Sequence, residues 1–463
     1  MIEDFKKAHP DFKIYEKSIN RAGDRYIFLA SKNNEKFIVF GERDFRFFSA
    51  FKNVNILLEN FSFLKPVAAG LKKSFGFGDR LGISTPGHIR SVKNYDFFPL
   101  FAQQSVRELK RTERTFEDVI NSAILGCFQE GYIDGFGADA DHIKDIIHLK
   151  QASDAGFTFF TIDPSDKIYN PLNLSREAQK KILSKHLSKY EKKYLGVKYS
   201  IKDTIHYIDE KNLREFVITY GEAIDHIEKC YKFLKGYSKP FDFEVSIDET
   251  DIPTSSLVHI LIVEELKRRS VEFHSIAFKF PGHFEKGIDY KGDKERLRSI
   301  FISHQLIREQ MGDYKISLHS GSDKLSIYPL FKNVFGDKIH IKTSGTSWIE
   351  AVKLIALKDF SFFLEILECS IKNFKKNSAS YEISARPELI DLKEIEKTSI
   401  EDLFRMDDIR QIIHISYGSI LGEKNTEGRF LYRDRLFEIL NENEDAYYDI
   451  LQSHLNNHLI LLK

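Results

Sequence analysis

The chain has 463 residues, enough for one large barrel with additions or for about three ordinary domains. Lys plus Arg and Asp plus Glu each number 69, giving zero formal charge. That balance argues against nucleic acid as the main partner, because phosphate binding needs a basic excess on some domain. A local anion site stays open. The three cysteines, Cys127, Cys230 and Cys369, are odd in number and far apart, which fits neither a disulfide framework nor a CxxC metal site. The opening MIEDFKKAHPDFK has no apolar core of a signal segment. No apolar run reaches the roughly 18 residues of a membrane span. The expectation is a cytoplasmic protein without a membrane partner, with homo-oligomer formation left open.

In chain order, residues 1–70 read as a separate small unit. Tyr26–Ala30 and Lys36–Phe40 are β-rich runs around SKNNEK, a hairpin pattern. From 71 to about 425, strand-like runs alternate with helical stretches, as in an α/β fold with parallel strands. Eight strands are predicted, at 73–82, 133–141, 157–163, 241–248, 275–281, 315–321, 339–345 and 412–418. Eight strands with intervening helices predict a (β/α)8 barrel of the TIM type. Thr115 and Gly131 bracket a helix, and a second follows Pro253 and ends in a basic turn. The charged stretches near 165–236 and 350–410 exceed one crossover and read as helical insertions, either lids or oligomer surfaces. Residues 426–463 read as a C-terminal helical segment.

Alternation within the strands places the chemistry. In FDFEVSID, Phe241, Phe243, Val245 and Ile247 share one face; Asp242, Glu244, Ser246 and Asp248 share the other. The helix-facing side of a barrel strand must be apolar, so the acidic face points inward. The same rule turns Thr161 and Asp163, Lys279, Ser317 and His319, and His340 and Lys342 inward, with His414 and Ser416 on the predicted eighth strand. A barrel interior is ordinarily filled with branched aliphatic residues. Charges there are costly unless they pair, bind metal or face a cleft. A charged pocket at the C-terminal mouth is therefore expected.

His142, His283 and His319 sit at or just past strand ends. Three imidazoles with an open position suit a catalytic divalent metal. A carboxylate-rich alternative would draw on Asp163, Glu244 or Asp248 and favour magnesium or manganese. Asp141, beside His142, and Glu244 are the candidates for proton transfer. Asp141 could instead cap a helix starting near Lys144, and Glu244 could instead pair with Lys279. GDRLGISTPGHIRSVK groups Arg80, His88, Arg90 and Lys93 among glycines, and TSGTSW runs into a helix start; either could hold a carboxylate or phosphate. Arg80, His88, Asp163, Asp248, Lys279 and Lys342 form the candidate substrate-binding set.

Taken together, GDRLGISTPGHI, GADADHIK, TFFTIDPSD, EVSIDETDIPT, FKFPGHFEKGIDY, SLHSGSDK and KTSGTSWIEA resemble the tagaturonate/fructuronate epimerases of bacterial hexuronate catabolism, over residues 70–420. The resemblance implies a metal-dependent isomerase that acts on a small sugar acid and inverts carbon 4. It implies metal ligands His142, His283 and His319, and Asp141 and Glu244 as acid and base. The expected metal is zinc, with manganese, nickel or cobalt as alternatives. A metal-dependent aldolase, a ketose 3-epimerase or sugar isomerase, and a non-catalytic sugar-acid binding protein are the competing readings.

Overall fold

The computed structural model describes residues 2–463 apart from positions 43, 238 and 251. Strands β1 (Lys13–Ile14), β2 (Asn20–Ala22), β3 (Arg25–Lys32), β4 (Glu35–Gly41) and β5 (Arg46–Ser49) form an antiparallel sheet ordered β1–β3–β4–β5, with β2 also on β3. The expected hairpin is β3–β4, turning through Asn33 and Asn34, both in the left-handed region.

The barrel strands are β6 (Ser74–Gly78), β7 (Phe98–Ser105), β8 (Gly137–Ile143) and β9 (Phe159–Ile162), followed, after a hairpin of β10 (Lys198–Ile201) and β11 (Thr204–Tyr207), by β12 (Asp242–Ile247), β13 (Ser275–Phe278), β14 (Lys315–Leu318) and β15 (Ile339–Thr343). They close in sequence order, with β15 parallel to β6. The fold is the expected eight-stranded α/β barrel, but one strand differs. Residues 412–418 are not a strand; they lie in the helix Asp407–Gly422, with His414 and Ser416 buried on it. The eighth strand is β7, FPLFAQQS, buried along its whole length. IIHISYG reads as a strand because it is rich in β-branched residues. Its helix is enclosed on almost every side, so no amphipathic stripe marks it.

The helix Phe116–Glu130 starts at a Thr115 capping box and ends at left-handed Gly131, and Ser256–Arg268 is capped by Ser255. Residues 165–236 hold two long helices, Arg176–Tyr194 and Glu210–Lys235, with the β10–β11 hairpin between them. The C-terminal segment is two helices, Arg433–Glu442 and Glu444–Leu461.

The barrel is stoppered at its N-terminal end. Residues 67–70 run across the strand starts: Val67 N–H donates to Phe136 O at 2.8 Å, and Ala69 and Gly70 donate to the Asp242 carboxylate at 2.6 and 2.8 Å. Ala69, Phe98, Leu100 and Phe159 pack there as a small apolar cluster. Above it the interior turns polar. Lys315 Nζ donates to Ser74 Oγ at 2.9 Å, and Ser275 Oγ to Glu244 Oε2 at 2.6 Å. The open end is the C-terminal mouth, where sites of this architecture lie.

Candidate active site

Glu244 and Asp248 reach the axis because β12 alternates as its sequence does. On β8, Asp139 and Asp141 are two residues apart and share the inward face. Strict alternation would send His142 outward. The β8–β9 register shifts between Ala140 and Ile143, and His142 takes φ +52°. This bulge aims the imidazole back at the mouth. A non-glycine residue in that region is strained, which is common where geometry serves a site.

Lys342, on β15, is the hub. Its Nζ lies 2.8 Å from Asp139 Oδ2, 2.8 Å from Asp141 Oδ1 and 3.0 Å from Glu244 Oε1, and it also contacts Thr161 Oγ1. All five side chains are almost fully buried. Burial would raise the carboxylates, but their cationic neighbours divide them. Glu244 falls well below its usual range because Lys342 and His319 outweigh desolvation, and Asp141 does so under His142 and Lys342. For Asp139 burial prevails over Lys342, and it rises to about 7. Asp139, the one of the three without an imidazole partner, is thus the carboxyl that burial pushes toward its protonated form. Asp139 escaped the sequence reading, although its two-residue spacing from Asp141 marks it.

Above this layer, His142 and His319 face each other with ring centroids 4.9 Å apart. His142 Nδ1 is 2.7 Å from Asp141 Oδ1, and His319 Nε2 is 2.8 Å from Glu244 Oε1. Each ring thus spends one nitrogen on a buried carboxylate. The other nitrogen of His319 has Asp248 Oδ1 at 3.0 Å without an aligned hydrogen bond; that of His142 has Glu249 at 3.8 Å. Burial favours neutral rings, yet Asp141 lifts His142 to about 10 and Asp248 lifts His319 to about 9. His142, His319 and Asp248 bring ligand atoms within 4.8 Å of one another. Two imidazoles backed by carboxylates, plus a third oxygen ligand, are a donor set suited to a divalent cation.

His283 stands apart. It is 63% exposed on the loop after β13 and bonds Glu382 Oε1 at 2.7 Å. Asp163 bonds Ser165 N–H at 2.8 Å and forms a separate group with His142 and Glu249. A further group, Asp323, His454 and His458, is spent internally. Asp323 takes His454 Nε2 at 2.7 Å and Arg410 at 2.9 Å, while its N–H donates to His458. This clamp fixes the turn after His319, where Ser320 and Asp323 are both left-handed.

A cavity of about 270 Å³ opens over the site, bounded by Asp141, His142, Asp248, Lys279 and His319. Lys279 pairs with Glu382 at 3.7 Å rather than with Glu244. Arg80 lies behind the wall, held by Glu108 at 2.8 Å, by the His414 carbonyl at 2.7 Å and by the Tyr417 ring. His88 stacks on Phe77 and bonds Ser347 Oγ at 2.7 Å. Asp141 does not cap the following helix; Asp145 does.

The model of the tagaturonate epimerase family matches residues 15–462. The chain belongs to the tagaturonate epimerase family. A relative from Thermotoga maritima named tagaturonate/fructuronate epimerase is 43% identical, covering 98% of this chain and 97% of that protein. The solved fructuronate-tagaturonate epimerase of Cohnella laeviribosi superposes with a TM-score of 0.92 at 33% identity, covering 100% of this chain and 98% of that one. The family match takes in most of the N-terminal sheet and the whole of the last helix as well as the barrel. No helix among the described residues is long and apolar enough to cross a membrane.

Proposed function

We propose that the chain interconverts D-tagaturonate and D-fructuronate by inverting carbon 4. The observation that carries the reading is the pairing of Asp141 and Glu244 with the two facing imidazoles, one carboxylate to each ring. The family relatives, matched over nearly their whole length, support it.

Carbon 4 is β to both the ketone and the carboxylate of these sugars. Its C–H is not acidic, so enolisation cannot invert it. The route is a retro-aldol cleavage. A carboxylate, Asp141 in the assigned role, takes the 4-hydroxyl proton. The C4–O bond becomes a carbonyl, and the C3–C4 electron pair passes into an enediolate on the first three carbons. The aldehyde fragment turns, carbon 3 re-adds to its other face, and the new 4-alkoxide takes a proton through Glu244, which draws it from the acid cluster around Lys342, where Asp139 is the carboxyl raised by burial. In the reverse sense the two carboxylates exchange tasks. Lys342, touching both, lets the proton inventory change without leaving either acid unpaired.

We assign the metal to His142 and His319, with Asp248 as the third ligand in the arrangement seen here and His283, on its exposed loop, as the ligand named by the family resemblance. A divalent cation there, zinc first among the candidates, supplies Lewis acidity toward the sugar oxygens. The deciding experiment is an NMR time course with D-tagaturonate in deuterated buffer, with a chelator-treated control. Fructuronate formed with protium retained at carbon 4, and blocked by chelator, is the expected result. Free three-carbon products would indicate an aldolase instead. No conversion by metal-loaded protein would refute the proposal.

A further inference from the structure

Two cations in the cavity wall make no ion pair, although Glu249 and Asp141 share the cavity with them. Arg107, in the helix Val106–Thr112 that follows β7, lies 4.5 Å from the Tyr381 ring centroid and spends one N–H on the Ser380 carbonyl at 3.2 Å. Its Nε is buried without a hydrogen-bond partner. Lys286, on the loop after β13, gives its Nζ to Ser320 Oγ at 2.6 Å. Among the described residues, neither side chain has a carboxylate at ion-pair distance. By contrast, Lys279 is paired with Glu382, Arg80 with Glu108, Arg410 with Asp323 and Lys342 with three acids. Two unmatched positive charges facing one cavity repel each other and forgo hydration. Such a pair is stabilised by an anion that arrives with the ligand.

The geometry points to Arg107 and Lys286 as the anchor for the substrate's carboxylate, beside Ser320 and Tyr381. Both cations line the same cavity as Asp141, His142 and His319. A guanidinium offers a planar N–H fork to a carboxylate, and an ammonium adds a point charge. Through Ser320, Lys286 is tied to the residue next to His319, which sets the anchor beside the imidazole pair. The inference rests on the reading above and deepens it. After the C3–C4 bond breaks, the carboxylate stays on the fragment that carries the new aldehyde. Held by that carboxylate, the fragment can rotate about its C4–C5 bond and present the opposite face without leaving. The anchor would thus make the enzyme an epimerase rather than an aldolase, and would select sugar acids over neutral ketoses.

The test uses the metal-loaded full chain with Lys286→Met, Arg107→Met and the charge-keeping Lys286→Arg and Arg107→Lys. Steady-state kinetics are read on D-tagaturonate and on neutral D-tagatose, and D-gluconate binding is read by calorimetry. Each Met variant is expected to raise KM for tagaturonate about tenfold or more, with a smaller change in kcat. The acid-to-neutral ratio of kcat/KM should fall alongside, and gluconate binding should weaken in step. Lys286→Arg should recover most of the loss. Unchanged gluconate affinity, or equal losses on the acid and the neutral sugar, would overturn the anchor while leaving the epimerase standing. Wild-type protein that binds gluconate but does not turn over tagaturonate would refute the function, and the gluconate titrations alone would then decide the anchor. Should a Met variant fail to fold, Arg107→Lys carries the question, because it keeps the charge and loses the fork.

Discussion

Glu244 and Lys342 are inward residues on strands whose opposite faces are apolar, and His319 follows directly on another such strand, β14. Burying a carboxylate costs several kcal/mol unless it is answered, and around the barrel axis each charge is answered by another. Removing the hub should therefore hurt more than removing a spoke. Lys342→Met leaves Asp139, Asp141 and Glu244 without their shared cation. It should lower stability by about 3–5 kcal/mol, read as a fall in denaturant midpoint. Asp141→Asn and Glu244→Gln keep the shapes and should fold, while turnover drops roughly 100-fold or more. Wild-type turnover in both would end their assignment as acid and base. At this scale period-two alternation made Glu244, His319 and Lys342 readable. It could not read the orientation of His142, which depends on a bulge, nor the state of Arg80, which depends on a partner 28 residues away.

At the scale of elements, local chemistry was most legible where caps and turns are explicit and least legible where burial is complete. Thr115 and Gly131 mark their helix in plain sequence. FPLFAQQS hides a strand because every residue is buried and no alternation survives. The helix Asp407–Gly422 hides for the same reason. Its His414 lies against the turn after β15, where a Cβ on Gly345 would come within 1.9 Å of His414 Nε2. Gly345→Ala should cost about 1–3 kcal/mol through overpacking, with His414→Ala relieving the clash in a double mutant; equilibrium unfolding of the pair checks it. The last helix carries a pH-dependent tie. Glu444 accepts Tyr15 O–H at 2.8 Å and faces Lys36 Nζ at 2.6 Å. Burial alone would raise its carboxyl, but Lys36 and Tyr15 together bring it below its ordinary 4.5. A depressed acid contributes stability above its unfolded value and loses it as pH falls through the folded one. The N-terminal sheet should loosen below about pH 4.5, seen as faster amide exchange in β3 and β4, and Glu444→Gln should flatten that dependence.

Across the whole molecule, the two ends of the chain meet on the barrel. The N-terminal sheet reaches Glu444, and residues 67–70 stopper the strand starts. The final helix buries Tyr447, Tyr448, Leu451, Leu455 and Leu459 and holds the turn after His319 through His458. Five such side chains are worth about 10 kcal/mol at roughly 2 kcal/mol each, comparable to the net stability of a typical domain. A chain ending at residue 443 should therefore fail to accumulate as folded protein, measured by circular dichroism and soluble yield.

The closure of β15 onto β6 sets an order in time. Asp139, Asp141 and Glu244 leave the ribosome on β8 and β12, well before their counter-ion. Lys342 comes on the last strand, the one that also seals the barrel. Until it emerges, the nascent chain carries the three acids without the one cation that touches them all, and mutual repulsion opposes their burial. When β15 docks, zipping the seam and neutralising the axis are one event. The cation at the hub is also the last piece of the wall, so a ring shut without Lys342 would lack both its seam and its charge balance.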